Sequence, residues 1–148
     1  MEPFFKQHGP HLSVCVTVDG MIELELGGNV PSENIAGLKS WADDVREAMR
    51  RVSAHKDRVL TLIDISALSE FDDESMKVVK SLMDFNKNYA TKTATFGGNL
   101  FSVMAQNVLT LTAHRDNIKA FTTREKALKW LLGSKAKSAA LATASDKA

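Results

Sequence analysis

Cysteine is almost absent from this chain. Cys15 is the only one in 148 residues, which excludes an intramolecular disulfide framework. It sits inside an alternating apolar stretch, so a structural thiol in a reducing compartment is the expected state. Long apolar runs are missing too, and nothing approaches the length that a bilayer demands, so no transmembrane segment is expected. The first residues, MEPFFKQHGPHL, show no basic region followed by an apolar core. The expected location is therefore the cytoplasm. Charge of one sign is also lacking: 19 Lys and Arg stand against 18 Asp and Glu, and a formal net charge of +1 gives no pull toward nucleic acid or a membrane surface. His8, His11, His55 and His114 are scattered without metal-ligand spacing to one another or to Cys15. The sequence has no P-loop, no G-x-S-x-G elbow and no assignable Ser-His-Asp order. No metal, cofactor or enzymatic activity is expected.

What the chain does have is 44% apolar and 25% charged residues over the length of one ordinary domain. Leu12, Val14, Val16 and Val18 alternate with Ser13, Cys15 and Thr17, and Ile22, Leu24 and Leu26 alternate with Glu23 and Glu25. Asp19-Gly20 between them predicts a β-hairpin. Gly27 to Pro31 breaks the pattern, and Ser32 is placed to cap a long helix with Ile35, Leu38, Trp41, Val45, Ala48 and Val52 on its apolar side. Its charged residues read as a solvated face. Val59 to Ile65 is nearly continuous in apolar and β-branched residues, the mark of a central strand covered on both faces. Asp72 or Asp73 then caps a second helix, with Met76, Val79, Leu82, Met83 and Phe85 turned inward. A strand over Lys92 to Phe96, a helix over Leu100 to Ala113, and a strand over Asn117 to Phe121 follow. Thr122 and Glu125 have capping-box spacing for a last helix in which Ala127, Leu128, Leu131 and Leu132 pack inward. The expected fold is α/β, a mixed central sheet of about five strands with about four helices in the order β-β-α-β-α-β-α-β-α. Residues 1–132 form the expected single domain. Residues 133–148, SKAKSAALATASDKA after Gly133, hold too little apolar surface to order themselves and read as a flexible tail.

The run LIDISALSEFDDESMKVVKSL, with the TATFGG strand and IKAFTTREKALKWLL, resembles the STAS domain, in particular the SpoIIAA-like (STAS/SEC14-type) bacterial family. The likeness covers about residues 12 to 132 and rests on pattern and element order. It implies an interaction module of the kind found in anti-sigma-factor antagonists, where a strand leads into an Asp-Ser-Ser-Gly loop whose serine is phosphorylated. Here that run is Asp72-Asp73-Glu74-Ser75, with acids at the two serine positions and Ser75 at the glycine position. The usual phosphoacceptor is replaced. A carboxylate at a helix N-terminus gains from the macrodipole, so Glu74 fits a permanently charged state, while ordinary helix capping accounts for the same acids.

The expected function is a non-catalytic module that docks a protein partner, or a second copy as a homodimer, through residues 66–76. Asp64, Ser66, Ser69, Asp72, Asp73, Glu74 and Ser75 are the candidate contacts. The alternative is a carrier or sensor of a small lipophilic ligand between the sheet and the second and third helices, lined by Met76, Met83, Leu100, Phe101 and Met104. The four acids Asp64, Asp72, Asp73 and Glu74 match no metal-binding loop spacing. Gly97-Gly98-Asn99 lacks the lysine and hydroxyl of a phosphate cradle and reads as a turn.

Overall fold

The computed structural model describes residues 3–30, 35–71, 73–97 and 117–133. Its strands are β1 (Phe4–Gly9), β2 (Leu12–Val16), β3 (Ile22–Leu26), β4 (Gly28–Val30), β5 (Leu60–Asp64), β6 (Leu68–Phe71), β7 (Lys92–Phe96) and β8 (Ile118–Phe121), and two helices are α1 (Ile35–His55) and α2 (Asp73–Asn86). A third helix, α3, runs over 124–133. Six strands form a mixed sheet in the order β1-β2-β3-β5-β7-β8, and β4 and β6 pair as a small parallel sheet of their own. β1, β2 and β3 are antiparallel neighbours, whereas β3, β5, β7 and β8 are parallel. The α/β class and the central place of the Val59 to Ile65 segment agree with the sequence pattern. The predicted helix over Leu100 to Ala113, the cap at Ser32 and the tail lie outside the described residues.

The period-two strands and period-3.6 helices divide the molecule into three layers. Ile22, Leu24 and Leu26 of β3 face the same core as Leu38, Trp41, Val45, Met49 and Val52 of α1 and Val79, Leu82 and Met83 of α2. On the opposite face, Leu62 of β5 and Ala94 of β7 meet Ala127 and Leu131 of α3. Trp41 is fully buried, and its indole N–H donates to the Ser13 carbonyl at 2.9 Å, which ties α1 to β2.

Several local expectations change. β2 ends at Val16, so Val18 belongs to the hairpin turn and is 70% exposed. β1 is an additional edge strand with a mostly polar, exposed sequence, and no alternation announces it. On α2 the inward line is Ser75, Val79, Leu82, Met83 and Asn86. Met76 and Phe85 are only half-buried, and Phe85 stacks on Tyr89 at 4.9 Å between ring centroids. The cap of α3 is Thr123, whose hydroxyl accepts from the Lys126 N–H at 3.2 Å, rather than Thr122. Glu125 pairs with Lys129 at 3.7 Å, one turn on. Leu132 lies on the outer side of α3, at 37% exposed.

Candidate functional site

The parallel strands present their carboxyl ends together, and the candidate contacts sit at the end of β5. Open α/β sheets commonly bind their ligands and partners at this edge. Asp64 closes β5, in register with Glu25 of β3 on one side and Phe96 of β7 on the other. Its Oδ1 accepts from the Ser66 backbone N–H at 2.9 Å and from the Ser66 hydroxyl. The Asp64 carboxylate therefore turns the chain, as short acidic side chains do at strand ends. Ile65 still donates to the Phe96 carbonyl at 3.1 Å, so the sheet ladder runs right up to this turn.

Two glycines hold the turn from either side. Gly97 has φ +74°, a left-handed conformation, and a Cβ there would lie 2.7 Å from the Cβ of Ser66 and 3.1 Å from its Cα. A Cβ on Gly27 would lie 2.9 Å from the Cβ of Ala67 and 3.1 Å from that of His11. The Ser66-Ala67 segment is thus wedged between the strand ends of β3 and β7. His11 Nδ1 lies 3.2 Å from a Glu25 carboxylate oxygen on the same edge. Neither glycine was assigned to the site from the sequence, although a glycine directly after β3 and another directly after β7 signal close backbone approach.

Ser66 is exposed, and so are Asp73 and Glu74 in the first turn of α2. Acidic side chains are favoured there by the free N–H groups and the positive end of the helix. Ser75 is fully buried and engaged in polar contact, so its hydroxyl is not part of the surface that the sequence assigned to it. Ser69 lies within β6. Asp72 lies outside the described residues. Of the seven candidate contacts, Ser66, Asp73 and Glu74 offer side chains to solvent at this end, and Asp64 shapes the loop beneath them.

The residues of the alternative ligand pocket are not brought together by what is described. Met83 is packed in the main core at 5% exposure, and Met76 is half-buried. Leu100, Phe101 and Met104 lie outside the described residues. Among the described residues, no three His, Cys, Asp or Glu side chains come together as a metal site. No helix among them is long and apolar enough to cross a membrane.

Elsewhere, Cys15 is half-buried on the α3 side of the sheet, across from Glu23. Burial pushes its thiol pKa up, and the Glu23 carboxylate adds to the effect. Such a thiol stays protonated at neutral pH and is a poor nucleophile. Glu23 is itself paired with Arg124 at 2.7 Å, which pins the start of α3 to β3. Comparison with known proteins finds no matching family model and no matching curated protein.

Proposed function

We propose that this chain is a non-catalytic interaction module of STAS-like character that docks a protein partner through the Ser66 turn and the first turn of α2. One observation carries the reading: an exposed, charged edge is mounted on a backbone that cannot readily move. The Ser66-Ala67 segment is wedged against Gly27 and Gly97, and the Asp73 and Glu74 carboxylates project from a helix whose next residue, Ser75, is anchored in the interior. Fixed surfaces of this kind bind with little ordering cost. Exposed carboxylates steer a basic partner and make the association sensitive to salt. In this reading Asp73 and Glu74 supply constantly the negative charge that a phosphorylated serine supplies on demand.

Affinity capture from the producing cells tests it, comparing the native chain with Asp73→Lys/Glu74→Lys. A specific partner retained at low salt, released at high salt and lost by the double reversal is the expected result. A Glu125→Lys control on α3 should retain it. Capture that ignores the reversal overturns the docking surface. Phosphate found by mass spectrometry on Ser66, Ser69 or Ser75 overturns the constitutive charge.

A further inference from the structure

We infer that the groove between α1 and α2 is a second docking surface, one that receives an acidic segment of a partner protein carrying an apolar side chain. The groove has a volume of ≈ 380 Å³ and is lined by Lys39, Ala42, Asp43 and Arg46 from α1 and by Lys77, Val78 and Ser81 from α2. Three cations thus face one carboxylate, whose Oδ1 accepts from Arg46 at 3.1 Å. Lys39 and Lys77 are exposed, and among the described residues neither has an ion-pair or hydrogen-bond partner. Lys39, Arg46 and Lys77 make the groove itself locally basic, with Asp73 and Glu74 one turn before Lys77 as the nearest further carboxylates on α2.

Arg46 gives the groove a fixed end. Its guanidinium is held by Asp43, donates to the Ser81 hydroxyl at 3.4 Å, and lies over the Phe85 ring at 5.8 Å from the centroid. A fork held in place in this way loses less freedom on meeting a second carboxylate than a free lysine does. The floor is of the other character. Ala42 is fully buried and Val78 half-buried, so the middle of the groove is aliphatic. Its volume is at the low end for small-ligand sites and suits a side chain or two of an inserted segment rather than a whole drug-sized ligand. Cationic rims around an aliphatic floor match alternating carboxylates and an aliphatic side chain, and this is the chemistry that identifies the occupant.

This surface begins one turn beyond Asp73 and Glu74 on α2, and it does not rest on the reading of the Ser66 edge. The two differ in sign, one acidic and one basic, so a single experiment separates them. Fluorescence anisotropy of a labelled peptide of alternating glutamate and leucine is measured against the native chain, Lys39→Glu/Lys77→Glu and Lys126→Glu. Binding that fades with salt, falls about tenfold or more in the double reversal and is unchanged in the α3 control is expected. Equal binding by the double reversal, or none by the native chain at low salt, overturns the inference. So does tight binding of the same peptide with lysine in place of glutamate. Sedimentation closes the remaining route: a native dimer dispersed by Lys39→Glu/Lys77→Glu would assign the groove to a second copy instead.

Discussion

Gly97 and Gly133 both adopt left-handed backbone conformations, at φ +74° and +60°, yet their surroundings differ. At Gly133 a Cβ would meet, among the described residues, only the tip of the Lys92 side chain, 3.7 Å away, and Gly133→Ala should cost about 1 kcal/mol from conformation alone. At Gly97 the same methyl runs into the Cβ and backbone of Ser66, so Gly97→Ala should cost roughly 2 kcal/mol or more. Urea denaturation of the two variants checks the order, and equal losses would show that the Ser66 turn yields easily. Cys15 gives a second prediction at this scale. Its folded-state pKa is raised, so at alkaline pH the native chain keeps a proton that the unfolded chain has released. The stability it contributes is complete below the unfolded pKa and is lost as pH rises through the folded one. Alkylation by iodoacetamide should be slower in the native chain than in urea at mildly alkaline pH, and Glu23→Gln should quicken it. A native thiol that reacts as fast as the unfolded one would contradict the assignment.

Among the elements, β1 is the one whose attachment depends on a few side chains. Its outer edge is unpaired in the six-stranded sheet, and His8 and Lys6 both engage Asp44 of α1, the latter at 3.6 Å. Arg51 lies over the Phe4 ring at 5.1 Å. Asp44→Ala should speed amide exchange across Phe4 to Gly9 while leaving β5 and β7 protected. Unchanged exchange in β1 would place its anchor in the backbone ladder alone. The same element shows where sequence reading stops. The hairpin around Asp19-Gly20 and α1 were legible because one face of each is apolar at the element's own period, and the β5 core strand because its residues are nearly all apolar or β-branched. β1 has no period-two alternation and takes its place through pairing with β2, a long-range fact with no local trace. β4 and β6, with three and four residues, are shorter than any periodicity can reveal. The acidic start of α2 was visible as helix-initiating chemistry, but the burial of Ser75 depended on the rotation of the helix about its axis. Phe85 misled that reading. Its ring is half-covered by Arg46, Arg50 and Tyr89, partners that only the tertiary fold supplies.

At the scale of the whole molecule, the sheet separates two apolar cores. Among the described residues, the one under α1 and α2 gathers residues from every layer on that side, and α3 meets the other face through Ala127 and Leu131 against Leu62 and Ala94. Leu82→Ala and Leu131→Ala should each cost about 2–5 kcal/mol if the chain unfolds as one unit. The placement of α3 on the opposite face of the sheet from α1 and α2 instead predicts partial opening. Native-state hydrogen exchange should show α3 exchanging through a local event that Leu131→Ala makes easier, with α1 amides unaffected. Matching acceleration in α1 would show a single cooperative unit.

The strand order has a consequence for how the chain is made. Along the main sheet each strand's neighbour is the strand that precedes it in the chain, so none is inserted between two others. A chain leaving the ribosome can lay down the hairpins of β1, β2 and β3 first and then add β5, β7 and β8 at one growing edge. The edge at Ser66 is completed only when β7 arrives and Gly97 closes against it. A partner that reads this edge would therefore engage a chain whose central strands have already been laid down.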